Sequence, residues 1–257
     1  MALVGGEGTS WQCLAVAPSD RAFIEFARGR SVDWHSRPIT GGTDVRALLE
    51  AAEHLAKVPV DIVAIDMPVS KLPIAGRREA EREVSRLFGA RGISTHSPTA
   101  ERPGRFGATL TAAFGRAGYA VATSVERPGA KPRLLEVYPH PALLTLLGRP
   151  RRVQYKVSRS GRYWPKTTPA VRAARLLHEY NQIHSALQQP FGKLPFALPT
   201  TVRTLGELKR YEDALDALVC CWVGVLYARG AAVAYGDRQA AIWCPREAAA
   251  ADQTQES

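Results

Sequence analysis

Acidic residues are scarce in this chain. Over 257 residues, 24 Asp and Glu stand against 34 Lys and Arg, giving a formal net charge of +10 and a sequence pI near 9.8. Between Val137 and His178 there is no acid at all. That balance disfavours a basic partner and suits a polyanion. A long hydrophobic run is also missing. The longest, Ala217 to Ala228, falls well short of the roughly 20 residues that cross a bilayer. The opening MALVGGEGTS has neither the basic flank nor the apolar core of a signal peptide, so no membrane partner and a cytoplasmic location are expected. Cysteine is sparse: Cys13, Cys220, Cys221 and Cys244 show no metal-ligand spacing and read as reduced core thiols. No internal repeat is visible.

What remains is ordinary globular material, 46% hydrophobic and 23% charged. One domain over residues 1–245 is expected, followed by a low-complexity, disordered tail over 246–257. The N-terminal pieces SWQCLAVA, RAFIEFARG and SVDWHS read as strands of an antiparallel meander. Thr43 to Lys57 is an amphipathic helix with a cap at Thr43 or Asp44, and Ala75 to Gly89 is a charged helix. Further helices are expected up to Arg116, over Pro141 to Gly148, over Pro169 to Leu187, and from Leu205, where TLGE has capping-box spacing. Strands YAVATSV and PRLLEVY lie between the helices, and AAVAYGD and AAIWCP close the chain. Alternating strands and helices give the α/β class, with an antiparallel ribbon at the N-terminal side of a mixed sheet.

Three acids stand in apolar runs, where a carboxylate is expensive unless it is paired, protonated or metal-bound. Asp66 follows the strand-like VDIVAI, Glu136 lies in RLLEVYP, and Asp216 lies in EDALDALVCCW. A site in an α/β sheet lies beyond the carboxyl ends of the strands, which is where Asp66 and Glu136 fall. Asp213 and Asp216 are three apart on a helix and share a face. Asp213 and the adjacent Glu212 compete for the second position there. Converging carboxylates are what a divalent cation requires, so Asp66, Glu136 and Asp216 are expected to meet in one cleft.

The acid-free window holds Arg151, Arg152, Lys156 and Lys166 with Trp164 among them, a mixture suited to phosphate contact and base stacking. A solvated basic surface is the plainer alternative. His140, in YPHP, and His96, in THSP, are possible proton carriers, although a histidine beside prolines is more often a turn residue.

The succession AIDMP, RLFGARG, STHSPT, LLEVYPHPALL, the basic stretch with YK and W, EDALDALVCCW, YGD and AIWCP resembles a family of uncharacterised proteins predicted to be RNase H-like nucleases, domain of unknown function 429. The resemblance runs from about Val60 to Pro245. It implies a ribonuclease H-like fold, a mixed five-stranded sheet flanked by helices with insertions. It also implies a metal-dependent phosphodiester hydrolase in which Asp66, Glu136, Asp213 and Asp216 hold Mg²⁺ or Mn²⁺ and a nucleic acid is the partner. Family members carry an aspartate on the first strand where this chain has Gly5, and Glu7 is a possible substitute. Two alternatives remain: a non-catalytic nucleic-acid-binding or adaptor protein, and a nucleotide-phosphate-binding protein gripping its ligand with the GGEGTS turn.

Overall fold

The computed structural model describes residues 1–34, 42–99 and 105–247. The chain opens with an antiparallel hairpin of β1 (Ala2–Glu7) and β2 (Ser10–Val16), in register from Ala2 opposite Val16 to Glu7 opposite Ser10. The glycines of GGEG belong to this turn. A Cβ at Gly6 would lie 2.1 Å from the Ser10 carbonyl oxygen, and Gly8 takes a left-handed φ of +57°, so hairpin sterics account for them without a phosphate.

The next segment is a helix, α1 (Asp20–Ala27), where a strand was expected from RAFIEFARG. Ser19 caps it by accepting from Ala22 N at 3.1 Å, and Asp20 complements the first turn. Phe23, Ile24 and Phe26 are strand-favouring residue types, but Phe23 and Phe26 are three apart, the spacing of a helix face, and Phe23 is drawn into a cluster with Leu48, Ala51 and Ala52. No strand forms over residues 31–34, and the rest of SVDWHS lies outside the described residues. α2 (Val45–Ala56) starts at Asp44, whose side chain accepts from Ala47 N.

Then follow β3 (Ile62–Ile65), α3 (Glu79–Phe88), α4 (Arg105–Arg116), β4 (Ala120–Val121), β5 (Arg133–Val137) and α5 (Pro139–Leu147). After the basic stretch come a single turn α6 (Ser160–Tyr163), the long helices α7 (Pro169–Phe191) and α8 (Leu205–Ala228), and the strands β6 (Ala232–Gly236) and β7 (Ala241–Pro245). α3 is shorter than expected because Arg78, not Ala75, precedes its first turn, with Glu81 accepting from Arg78 N at 2.7 Å. At α8 the start is as expected, but Glu207 accepts from Arg203 N while Thr204 makes no side-chain cap.

The main sheet has five strands in the order β3-β5-β7-β6, with β4 also on β5. β3, β4 and β7 all run parallel to β5, and β6 is the antiparallel edge. The class is therefore α/β with a mixed, mostly parallel sheet. The N-terminal ribbon is not part of it: among the described residues β1 and β2 pair only with each other. Ribbon and sheet are joined through α8, as Cys221 Sγ lies 3.5 Å from the Ala2 carbonyl oxygen.

α8 is held close to β3 by Gly224, where a Cβ would stand 3.5 Å from Ile62 Cγ2 and 3.8 Å from Ala64 Cβ. The main core lies between this helix, α7 and one face of the sheet, with Leu135, Val137, Leu215, Leu218 and Val219 in it. The other face, with Val63, Ile65 and Leu134, packs on α2 and α4. No helix among the described residues is long and apolar enough to cross a membrane. The four cysteines are free, with Cys220 and Cys244 buried. Two residues expected in the tail are held in place: Arg246 N donates to the Ala231 carbonyl at 2.9 Å, and Glu247 pairs with Arg91. Residues 248–257 lie outside the described part.

Candidate active site

Helix α8 carries Lys209, Glu212, Asp213 and Asp216, spaced three, four and seven along the chain and therefore on one stripe. Oxygens of Glu212, Asp213 and Asp216 lie within 4.8 Å of one another. Asp66 arrives from β3. Ile62 opposes Gly224, four strand residues advance roughly 13 Å, and eight helix residues cover roughly 12 Å. With the two elements antiparallel, the end of β3 comes alongside Asp216, as the mutual electrostatic effect of Asp66 and Asp216 requires.

The segment over residues 155–157 is stapled across this stripe. Tyr155, fully buried, donates from its hydroxyl to Asp216 Oδ1 at 2.6 Å. The Lys156 ammonium donates to Asp216 Oδ2 and stands 3.7 Å from Glu212 Oε1. Val157 N donates to Glu212 Oε2 at 2.6 Å. Lys209 adds contacts of 2.7 Å to Glu212 and 2.5 Å to Asp213. Burial acts to lower the Lys156 pKa, but Asp216, Asp66 and Glu212 outweigh it and hold the ammonium above the ordinary lysine range. Burial raises Glu212, with Lys156 and Lys209 opposing.

Asp66 is different. It meets solvent at the cleft, yet among the described residues it accepts no hydrogen bond. Ringed by protein and facing the charge of Asp216, its carboxyl is pushed up to about 7, with Lys156 pulling it back. An acid that gives up ionisation in this way is short of a cation.

Glu136 acts on Asp66 electrostatically, but contrary to expectation its own oxygens are turned to other partners. It pairs in register with Ile65 on the face of the sheet away from α8. There Arg78 grips it with two hydrogen bonds of 2.7 Å, and Val69 N donates to it at 2.9 Å. Arg78 also donates to the Val69 carbonyl at 2.7 Å and to Glu81. Burial pushes Glu136 up to about 7 against the pull of Arg78, while Glu136 and Glu81 overcome burial to hold Arg78 above its usual range. Both oxygens of Glu136 are thus engaged in a buried strut. The strut fixes both polar groups of Val69, three residues beyond Asp66.

Glu7 stands at the exposed hairpin tip, at the opposite end of β1 from Ala2 and its contact with α8. At Gly5 the space of a side chain is taken by Leu14, whose Cδ1 would be 2.9 Å from a Cβ. Neither residue reaches the acids of α8.

In the basic window, Arg151 and Lys166 are exposed, and Trp164 is half-buried with the Arg175 guanidinium 5.5 Å from its ring centre. Lys156 faces inward, as a counter-ion of the acids. Arg152 lies 2.5 Å from His140 Nε2. His140 is buried between Tyr138 and Tyr155, with ring centres 5.3 Å away on either side, and burial with the charges of Arg152, Lys156 and Arg159 holds its pKa well below the ordinary value. It is therefore a neutral structural acceptor, not an exposed proton carrier. His96 is exposed and meets Arg159 at 3.1 Å.

Sequence reasoning named Glu212 only as a rival to Asp213, and it missed Arg78. Glu212 had a signal, its four-residue spacing from Asp216 on α8. Arg78 had none, because its partner Glu136 lies 58 residues away. Oxygen-only donors of this kind suit a hard divalent ion, and each carboxylate of α8 retains lone pairs beyond those already used. The donor set fits Mg²⁺ or Mn²⁺, with the Lys156 ammonium as competitor. No curated protein and no solved structure matches the chain. A family model described as a protein of unknown function (DUF429) matches residues 8–240, and the chain belongs to that family.

Proposed function

We propose that the protein is a metal-dependent nuclease of ribonuclease H-like architecture. The observation that carries the reading is Asp66: an exposed carboxylate with no hydrogen bond or ion pair among the described residues, brought by a parallel strand within the electrostatic reach of a buried acidic helix. The mixed sheet with an acidic last long helix packed on it is compatible with that architecture. Asp66, Glu212, Asp213 and Asp216 would hold the ion, which when bound supplies an activated water and neutralises charge developing at phosphorus. Tyr155 and Val157 N orient Asp216 and Glu212, and the Arg78–Glu136 strut orients the loop after Asp66. Lys156 supplies a counter-charge to Asp216 and Glu212. Single-stranded, duplex, hybrid and branched nucleic acids incubated with Mn²⁺ should include one that is cut, and Asp216→Asn should abolish the cutting. Intact substrates throughout would refute the nuclease.

A second reading, a nucleic-acid-binding protein without cleavage, is favoured by Lys156. Its ion pairs satisfy Asp216 and Glu212 with no metal, and Glu7 offers no ligand in place of the first-strand aspartate. Binding of nucleic acid without metal-dependent cleavage would select it.

A further inference from the structure

Arg152 and Arg159 are half-buried cations with no ion pair of their own among the described residues. Arg78, Arg82 and Arg91 each have a carboxylate partner, as do Lys156 and Lys209. Among the described residues neither Arg152 nor Arg159 pairs with a carboxylate: Arg152 meets His140 at 2.5 Å and the Tyr163 hydroxyl, and Arg159 meets His96 at 3.1 Å. An imidazole nitrogen that accepts from a guanidinium is neutral and offers no charge in return. Two guanidiniums and the Lys156 ammonium act together on His140, Tyr138 and Tyr163; Lys156 is paired with Asp216 and Glu212, which leaves the two guanidiniums without a carboxylate of their own.

The unmet hydrogen-bonding capacity has the same sense. Arg152 Nε is buried with no partner. So is His140 Nδ1, which carries the proton once Nε2 accepts from Arg152. Both orphans are donors, and buried donors left unpaired are costly. What the region lacks is an acceptor, and preferably an anion.

We propose that Arg152 and Arg159 form a clamp for a phosphate group beside the carboxylate cleft. Its place follows from the chain. Arg159 comes two residues after Val157, which is pinned to Glu212, and Arg152 leads through His140 and the Tyr155 ring to Asp216. A planar fork that binds an oxyanion with two charge-assisted bonds is the usual use of arginine. His140 and His96 set the forks in place without neutralising them. The clamp rests on the nuclease reading only for assigning its phosphate to a nucleic acid; a free phosphate or nucleotide offers the same oxygens.

The test uses the full chain without divalent metal. Thermal unfolding is followed in inorganic phosphate and in sodium chloride of equal ionic strength, and calorimetry follows binding of phosphate, a mononucleotide and a short single strand. Wild type should gain stability in phosphate beyond that in chloride. Arg159→Gln, near the surface and able to leave the fold intact, should weaken binding roughly tenfold or more, the scale of a hydrogen bond to a charged group. Arg152→Gln should do the same, and Arg46→Gln, on the far helix α2, should change nothing. Tighter binding of the single strand than of free phosphate assigns the clamp to a polymer; equal binding assigns it to small phosphates. A wild type that gains nothing over chloride, or an Arg159→Gln that keeps the full gain, overturns the clamp. Phosphate binding through both arginines without any Mn²⁺ binding would retain the clamp and remove the nuclease.

Discussion

Asp66 follows Ile65, the register partner of Glu136 on the neighbouring parallel strand, and it feels the charge of both Glu136 and Asp216. Ile65 and Glu136 share the face of the sheet away from α8, whereas Asp66, just past the end of β3, comes within electrostatic reach of Asp216 on that helix. One carboxyl is left short of a cation at the cleft, and the other is locked to Arg78. Two acids alike in sequence context therefore have different chemistry.

Glu136 is expected to act as a strut. Breaking a buried pair by removing one partner costs roughly 3 to 5 kcal/mol, so Arg78→Gln and Glu136→Gln should each lower the urea midpoint substantially, and the double variant should cost much less than the sum. Metal binding should survive in whichever single variant still folds. A Glu136→Gln protein of full stability that has lost its metal would instead make Glu136 a ligand.

Lys156 holds the place of a cation between Asp216 and Glu212. Lys156→Met leaves buried Asp216 without its counter-ion and Glu212 with Lys209 alone, and the protein without metal should lose roughly 3 kcal/mol. Added Mn²⁺ should restore more stability than it adds to wild type, because the ion no longer competes with an ammonium. Equal metal effects in the two proteins would show that Lys156 and the ion do not share the site.

His140 gives a pH signature. It faces Arg152, Lys156 and Arg159, packs on Tyr138 and Tyr155, and its folded pKa is depressed, mainly by burial. The unfolded chain takes up a proton near pH 6.5 that the folded chain refuses, so stability present above that pH is lost as pH falls. The slope from this residue is about 1.4 kcal/mol per pH unit below 6.5. His140→Gln, which keeps an acceptor for Arg152, should flatten the wild-type stability curve between pH 6.5 and 5 by about that slope. Parallel curves would mean that His140 titrates freely in the fold.

Much of this was legible along the chain. The strands before Asp66 and around Glu136, the cap at Asp44, the start of α8 and the burial of Asp216 all follow from local pattern. The face on which Glu136 emerges was not, since a strand's facing is set by register with its neighbours. The inward turn of Lys156 was equally hidden, because a basic run looks the same whether its lysine meets solvent or acids 60 residues away. α1 failed for a different reason: Phe23, Ile24 and Phe26 are strand-favouring types that outweighed the three-residue spacing of the two Phe, and the contact with α2 decides for the helix.

The central claim is that the acids of α8 and Asp66 take up a divalent ion, and calorimetric titration of the protein with Mn²⁺ tests it most directly. Wild type should bind at millimolar ion or below, Asp216→Asn and Asp66→Asn should each weaken binding at least tenfold, and Glu7→Gln, at the remote hairpin tip, should bind as wild type does. No binding by wild type, or undiminished binding by Asp216→Asn, would contradict the account.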